Sequence, residues 1–435
     1  MITIDPATVR EAPCPACSHP IAVPFLIDEQ PLATLAWPES SAEARAMRAL
    51  PLEFVRCVDC GHVFNAAFDY AHVPYSAKPN LMFNRGAHWS DFVRTVQADL
   101  LSRIPRAPVV VEIGHGDGSF LSALSEQRQQ GRFVGFDPNG AASVPPGVNV
   151  ELRAELFDPA RHLAELKPDL IVSRHVMEHL SSPLVFLQRI AFTAAALGQS
   201  PLIYLEVPCI DRVLETGRTV DLYYEHNSQF TTESFERMLS RSASMPPSIG
   251  HGYDGEVVFG IARLGRLSHH LRTAREAMLY RESAAEAKIT IERQLREICA
   301  RGVRVAIWGG TGKSAAFINR YGLDRERFPL VVDSDLAKVG TFVPGAGQEI
   351  RPPDYLLAHP PEIVIVPPQW RARDIVLEMD TLGIRPASVL IEDGGRLVDF
   401  RTGAHSYRTG RTDDAVLFER DHLPDRLPGA TVSAA

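Results

Sequence analysis

The chain has 435 residues, of which 45% are hydrophobic and 23% are charged, and its net charge is −8. This composition is that of a globular protein, the length favours two or three domains, and the negative charge argues against a nucleic-acid surface. No apolar run approaches the roughly 18 residues that a bilayer span requires, and the first residues lack the basic-then-apolar order of a signal peptide. We therefore expect a cytoplasmic protein with no nucleic-acid or membrane partner.

The first 75 residues carry two Cys-x-x-Cys pairs. The four cysteines are Cys14, Cys17, Cys57 and Cys60. Without a secretory signal, two such pairs indicate a closed tetrathiolate zinc site with a structural role rather than disulfides. We therefore predict a zinc-binding module over residues 1–75. The other cysteines, Cys209 and Cys299, are expected to be buried apolar residues.

Residues 76–265 alternate short β-branched runs with helical stretches. The runs are PVVVEIG, GRFVGFD, PDLIVSR and PLIYLEVP. Strands that alternate with helices predict a parallel α/β sheet.

The first run ends in a glycine-rich turn, VVVEIGHGDGSFL, which begins at Glu112, and Asp137 closes the next strand. This pattern resembles the first two motifs of class I S-adenosylmethionine-dependent methyltransferases. In that family the loop holds the amino-acid end of the cofactor and the second-strand acid holds the ribose. The resemblance implies cofactor contacts by Glu112, Gly114, Gly116, Asp117 and Asp137, and adenine contacts by Glu155, Leu156 and Phe157. An NAD-binding domain is the alternative, but a carboxylate at Glu112 would repel a pyrophosphate.

Two histidines follow the run PDLIVSR. His175 and His179 are four residues apart, so on a helix they would face the same way. Metal binding by these histidines with Glu178 is one interpretation, but the order is not H-E-x-x-H and no third ligand is evident. We therefore expect an acid–base role near the cofactor.

A polar loop, DLYYEHNSQF, follows the run PLIYLEVP and precedes a helix that Thr231 or Thr232 can cap. It carries Tyr223, Tyr224, Glu225 and His226. A histidine titrates near neutrality and can act as a general base, with Glu225 or a tyrosine hydroxyl to orient it.

The remainder of the chain is predicted to form a connecting helix over 266–301, a second, Rossmann-like α/β domain over 302–410 and a tail over 411–435. Within the second domain, the stretch RVAIWGGTGKS has Ile307 where a P-loop requires glycine. It fits the looser turn Gly310-x-Gly312-x-x-Ala315, with Asp333 at the spacing of a ribose-binding acid. The turn either binds a dinucleotide or the nucleotide half of another ligand, or it is a tight strand-to-helix turn without a ligand.

The order of these parts is similar to that of the sugar C-methyltransferases, which act on nucleotide-linked keto-deoxysugars, such as the C-3 methyltransferases. The resemblance implies methyl transfer from S-adenosylmethionine to the carbon beside a ketone, with His226 or Tyr223 as the base and His179 as a donor to the enolate oxygen. It also implies that the four paired cysteines bind zinc. We predict substrate contacts by Tyr75, Tyr224, Gly310, Gly312, Lys313 and Asp333.

The sequence departs from this family in the substrate pocket. Gln229 stands where a second aromatic residue is usual, and His175 stands where asparagine is common. Two alternatives stay open: an O- or N-methyltransferase of a glycan precursor or small metabolite, and a non-catalytic binding protein on the same fold.

Overall fold

The computed structural model describes residues 5–74, 86–140, 148–265 and 268–408. The chain divides into two compact units, Met1–Ala274 and Arg275–Ala435. Within the described residues, every helix is too short or too polar to cross a membrane.

The first unit contains two sheets and the helices that cover them. Its strands are β1 (Arg10–Glu11), β2 (Ile21–Gln30), β3 (Leu50–Cys57), β4 (Val63–Asn65), β5 (Val109–Ile113), β6 (Arg132–Phe136), β7 (Val150–Arg153), β8 (Leu170–Arg174), β9 (Leu202–Pro208), β10 (Ser228–Gln229), β11 (Ser248–Gly252) and β12 (Val257–Arg263). Its helices are α1 (Ser41–Ala46), α2 (Ala87–Arg103), α3 (Ser119–Gln127), α4 (Pro159–Leu166), α5 (Pro183–Ala196), α6 (Asp211–Thr216) and α7 (Thr232–Ser240), and 3-10 helices lie at Pro6–Thr8, Tyr70–His72, Met177–His179 and Tyr253–Gly255.

The larger sheet of the first unit has the order β11-β12-β9-β8-β5-β6-β7. The strands from β9 to β7 in this order run parallel, and β12 joins β9 in the antiparallel sense. The central strands are buried on both faces, since Val110, Val111 and Ile171 are all fully covered. The predicted α/β fold is confirmed. Because the carboxyl ends of parallel strands meet at one edge, the loops after β5, β6 and β8 converge there.

The smaller sheet has the order β1-β2-β3-β4-β10 and is antiparallel. Its last strand, β10, lies at the end of the polar loop DLYYEHNSQF, and Ser228 pairs with Phe64. The N-terminal segment and that loop are therefore tied by backbone hydrogen bonds.

The second unit is a smaller α/β sheet preceded by a long helix, α8 (Ser268–Ala300), whose first residues belong to the first unit. Its other elements are β13 (Val305–Trp308), α9 (Lys313–Arg320), β14 (Leu330–Val332), β15 (Ile350–Arg351), α10 (Tyr355–Ala358), β16 (Ile363–Ile365), α11 (Ala372–Leu382), β17 (Ser388–Asp393) and β18 (Arg396–Asp399), with 3-10 helices at Leu336–Lys338 and Gln369–Arg371. The sheet has the order β15-β14-β13-β16-β17-β18.

Helix α8 ends at Ala300, and Gly302, just beyond it, adopts a positive φ of 66° that suits the end of a helix. The apolar residues of the helix are not all buried. Ile291 and Leu295 are buried, whereas Ile289 is 66% exposed.

Candidate active site and cysteine centre

The glycine-rich turn after β5 has three positions whose backbone conformation is easily adopted only by glycine. Gly114, Gly116 and Gly118 have φ angles of 76°, 54° and 72°, in the left-handed region that a Cβ atom disfavours. The chain thus reverses within a few residues and begins α3 at Ser119.

Glu112 lies at the base of this turn and is 2% exposed. Among the described residues, its Oε2 atom has no hydrogen-bond partner. Burial raises the pKa of Glu112 to about 8, although the charge of Arg174 acts in the opposite direction. A buried acid without a partner costs free energy unless a ligand completes it. The ammonium group of a bound amino acid would do so, which fits S-adenosylmethionine.

Asp137 follows β6 and supports the same turn. Its Oδ2 accepts a hydrogen bond of 3.3 Å from the Gly116 N–H, and its Oδ1 accepts one of 2.9 Å from the Asn139 N–H. Asp117 is exposed and accepts a bond from the Ser119 N–H. The contact of Asp137 with a ribose stays a prediction.

The three residues predicted to lie against adenine point to different surroundings. Glu155 pairs with Arg161 at 3.0 Å, and Leu156 is 73% exposed. Phe157 is buried and packs edge-on against Phe136, with ring centroids 5.3 Å apart. Phe157 is therefore a core residue, and Leu156 is the one of the three that offers a large exposed apolar surface.

His175 and His179 do not share a helix, so the common face that their spacing would give on a helix does not form. β8 ends at Arg174, and His175 adopts a left-handed conformation with φ of 52°. The chain then enters a 3-10 helix over Met177–His179. The turn at His175 breaks the helical repeat and directs the two rings toward different partners.

Two buried carboxylates hold the His175 ring. Its Nε2 lies 3.0 Å from Glu206 Oε1, and its Nδ1 lies 3.3 Å from Glu178 Oε1. Burial acts to lower the pKa of His175, but the ion pair with Glu178 and the hydrogen bond with Glu206 outweigh it and raise the pKa to about 9. Glu206 also pairs with Arg174 at 3.1 Å and accepts a bond of 2.5 Å from the Tyr204 hydroxyl. His175 therefore carries a positive charge at neutral pH.

Tyr223, His226 and His179 form the second part of the cluster. The Tyr223 hydroxyl lies 2.8 Å from Nε2 and 2.9 Å from Nδ1 of His226. The His179 ring stands edge-on to His226, with centroids 4.7 Å apart, and its Nδ1 lies 2.8 Å from the backbone oxygen of Glu225. Burial, with the charges of His179 and His175, lowers the pKa of His226 well below its usual range. Burial, with the charge of Glu178, raises the pKa of Tyr223. At neutral pH Tyr223 therefore keeps its hydroxyl proton and His226 is a neutral base.

Glu225 was predicted to be catalytic and to orient His226, and the structure gives it another role. It is fully buried. Its carboxylate accepts hydrogen bonds from the backbone N–H groups of Ala33, Thr34 and Leu35 at 3.1, 2.7 and 3.1 Å. Because Tyr223 rather than Glu225 contacts the His226 ring, Glu225 is a positioning residue that ties the catalytic loop to the N-terminal segment.

Tyr224 was predicted to bind substrate, and the structure contradicts this. Its side chain is fully buried against Phe68, and its hydroxyl accepts a bond of 2.9 Å from the Asp69 N–H. Tyr223, its neighbour in the chain, instead contacts the His226 ring. Tyr75, another predicted substrate contact, lies outside the described residues.

The four paired cysteines converge as the sequence predicts. The sulfur atoms of Cys14 and Cys60 are 3.6 Å apart, as are those of Cys17 and Cys57, and all four lie within 4.8 Å of one another. A tetrahedral zinc with Zn–S distances of 2.3 Å separates its sulfurs by about 3.8 Å. The cluster is therefore compatible with zinc. Of the other two cysteines, Cys209 is buried and Cys299 is half-buried.

The glycine turn of the second unit is held by its own acid. Asp333 is 5% exposed and accepts bonds from the Gly310 N–H at 3.0 Å and the Asp335 N–H at 2.9 Å. Lys313, in the first turn of α9, places its ammonium 3.7 Å from the centre of the Trp370 ring.

The sequence analysis missed the charged residues that hold His175. Arg174 and Glu206 lie on the parallel strands β8 and β9, and Glu178 was considered only as a metal ligand. Charged residues within the apolar runs PDLIVSR and PLIYLEVP were the available signal, because a buried strand tolerates a charge only when it is paired.

Comparison with protein families supports a methyl-transfer function. Residues 87–242 match a family described as a methyltransferase domain, and residues 268–389 match one described as a C-methyltransferase C-terminal domain. No curated protein matches the chain.

Several solved methyltransferases resemble part of the chain. The plantazolicin methyltransferase BpumL in complex with SAH is 16% identical, with 40% of this chain and 82% of that chain covered and a TM-score of 0.31. Human N-acetylserotonin methyltransferase in complex with SAM is 16% identical, with 41% and 53% covered and a TM-score of 0.32. Magnesium protoporphyrin IX methyltransferase from Synechocystis, with bound SAH, is 13% identical, with 42% and 90% covered and a TM-score of 0.29. These likenesses are weak, so the assignment rests on the family matches and the site.

The α/β sheet, its glycine turn and the family matches define a methyltransferase. More particularly, the enzyme is an S-adenosylmethionine-dependent methyltransferase, and its residues 268–389 match the family described as a C-methyltransferase C-terminal domain.

Proposed function

We propose that this enzyme methylates the carbon beside the ketone of a nucleotide-linked keto-deoxysugar. The observation that carries the proposal is the contact between the Tyr223 hydroxyl and the His226 ring at 2.8 Å, which forms an oriented neutral base. The C-methyltransferase match over residues 268–389 supports carbon as the acceptor. The resemblance to sugar C-methyltransferases supports the sugar.

The mechanism begins with the removal of a proton. A carbon beside a ketone becomes nucleophilic only after it loses a proton to a base. His226 accepts this proton on its unprotonated ring nitrogen, while its other ring nitrogen donates its N–H to the Tyr223 oxygen and so fixes the ring. When bound, S-adenosylmethionine supplies an electrophilic methyl group for the enolate carbon.

The predicted role of His179 as a donor to the enolate oxygen depends on the protonation of its ring. Its Nδ1 lies 2.8 Å from the Glu225 backbone oxygen, which can only accept, so Nδ1 carries a hydrogen. In a neutral ring Nε2 is then an acceptor. Donation to the enolate oxygen therefore requires His179 to be an imidazolium.

The cofactor and zinc would be held by separate residues of the first unit. Glu112 would bind the ammonium group of S-adenosylmethionine, the backbone of the Gly114 and Gly116 turn would approach its amino-acid end, and Asp137 would accept its ribose hydroxyls. The four cysteines would bind a structural zinc whose coordination is closed.

We propose that the glycine turn of the second unit binds the nucleotide of the substrate. Gly310 and Gly312 lead into α9, and a helix N-terminus with Lys313 in its first turn suits a phosphate. Asp333 would accept hydrogen bonds from a ribose with the carboxylate lone pairs that are not used in its bonds to the turn.

Hydrogen–deuterium exchange at the substrate carbon tests this function. A panel of nucleotide-linked 4-keto sugars would be followed by NMR in deuterated water with wild type, H226A and, as a matched control, H251A, which removes an exposed histidine. Each would be run with and without S-adenosylmethionine. Exchange beside the ketone in wild type and H251A, but not in H226A, is expected. If no sugar exchanges while S-adenosylmethionine still binds, the acceptor lies outside the panel or the methylated atom is oxygen or nitrogen, and the enolate mechanism loses its support.

A further inference from the structure

His175 differs from the other histidines of the cluster because it is paired with two acids. Its ring nitrogens lie 3.3 Å from Glu178 Oε1 and 3.0 Å from Glu206 Oε1. Glu178 and Glu206 are each 1% exposed, and the His175 side chain is 15% exposed. Arg174 also pairs with Glu206 at 3.1 Å, and among the described residues His175 is the cation paired with Glu178.

Glu178 also borders the proposed base. One of its carboxylate oxygens and a ring nitrogen of each of His179 and His226 lie within 4.8 Å of one another. A buried carboxylate this close to an imidazole favours the charged form of the ring. Left unpaired, Glu178 would therefore promote protonation of His226 and remove its ability to accept a proton.

We propose that the His175 imidazolium neutralises Glu178 and thereby keeps His226 in its neutral, proton-accepting form. His175 is thus a positioning residue that acts on the base through Glu178. The role of His226 as the base rests on the proposed function. The charge relation between His175, Glu178 and His226 does not depend on it.

The charges around both rings agree with this role. The titratable groups around His175 are Arg174, Glu178 and Glu206. Those around His226 are Glu178, His179 and Tyr223. Two further groups act indirectly, since Tyr204 donates to Glu206 and the charge of Glu112 acts on Arg174. The pKa of His175 is raised and that of His226 is lowered, and the charge of His175 contributes to the second shift.

The backbone at this position allows a clean test. His175 has φ of 52°, a left-handed conformation that histidine, asparagine and aspartate tolerate better than most residues. His175→Asn therefore removes the charge with little added strain. Glu178→Gln removes the carboxylate at nearly constant shape.

The test follows the ring charge of His226 directly by NMR. Protein labelled with ¹³C in the histidine rings would be titrated as wild type, H175N, E178Q and H175N/E178Q, and the signal that disappears in H226N assigns His226. H175N is expected to raise the apparent pKa of His226 by at least one unit, a tenfold increase in the protonated fraction at a given pH. The double variant H175N/E178Q is expected to reverse the rise.

Three results would overturn the proposal: an unchanged His226 titration in H175N, a rise that persists in H175N/E178Q, or a rise in E178Q alone. The last of these does not depend on H175N folding. If the titrations behave as expected while no sugar undergoes deuterium exchange, the charge relation holds and the proposed function fails. With an active substrate, the acid limb of the pH–rate profile of H175N should move upward, with the rate restored at higher pH.

Discussion

Replacing Glu225 separates a structural role from a catalytic one. Its carboxylate is fully buried and receives three backbone N–H groups at 2.7 to 3.1 Å. Each hydrogen bond to a charged group contributes about 1.5–3 kcal/mol. In Glu225→Gln the amide oxygen can keep the bonds from Thr34 and Leu35, but the amide NH₂ then faces the Ala33 N–H. We expect a loss of about 2–4 kcal/mol, and about 3–5 kcal/mol for Glu225→Ala, where every acceptor is gone.

Thermal unfolding measures this loss. For a unit of this size, each kcal/mol lowers Tm by about 2–4 °C, so E225Q should melt roughly 5–15 °C below wild type. Glu215→Gln, an exposed change on α6, should remain within about 0.5 kcal/mol of wild type. Deuterium exchange by the folded fraction of E225Q should persist. An E225Q protein as stable as wild type but without exchange activity would refute the structural role and make Glu225 catalytic.

Two further predictions concern the metal and the cofactor. Elemental analysis should find about one zinc per chain in wild type and a marked loss in Cys60→Ser, with a lower Tm, whereas Cys299→Ser should keep its zinc; equal metal content in both variants would contradict the four-cysteine site. Because burial raises the pKa of Glu112 to about 8 and a cationic ligand favours its charged form, affinity for S-adenosylmethionine should increase as pH rises toward 8 and then level. Calorimetric titration of Glu112→Gln should show S-adenosylmethionine binding that is weaker by about 10-fold or more and that no longer rises with pH through this group. If the affinity of Glu112→Gln had the same pH dependence as that of wild type, Glu112 would not be part of the cofactor site.

The fold follows from signals that a single sequence contains. Alternating β-branched runs and helices fix a parallel sheet, and positive-φ glycines mark the turn after β5, so Glu112 and Asp137 could be placed in advance. The four cysteines could be grouped because two short spacings and tetrahedral coordination allow few other arrangements.

The acid–base site was harder to predict from the sequence, for a physical reason. Tyr223 and Tyr224 are adjacent and chemically alike, yet one contacts His226 and the other fills the core, which depends on the direction of the chain in a loop. His175 and His179 appeared to share a helix face because the sequence does not show the left-handed turn at His175. Arg174 and Glu206 are paired across two strands, a relation that becomes visible only when β8 and β9 are aligned.

The two glycine turns show why a motif does not by itself identify a ligand site. Asp137 and Asp333 each accept one bond from a glycine N–H and one from the N–H two residues ahead. These bonds stabilise the turn whether or not a ligand is present, so a ribose acid and a structural acid produce the same spacing. The two turns differ in the strand that precedes each. Glu112, two residues before Gly114, is buried and has an oxygen without a hydrogen-bond partner among the described residues. The corresponding residue of the second turn, two residues before Gly309, is the apolar Ile307. An acid at the first turn suits a cationic amino-acid group, and Lys313 after the second suits an anion. We therefore expect the two turns to bind groups of opposite charge, although their backbone hydrogen bonds are alike.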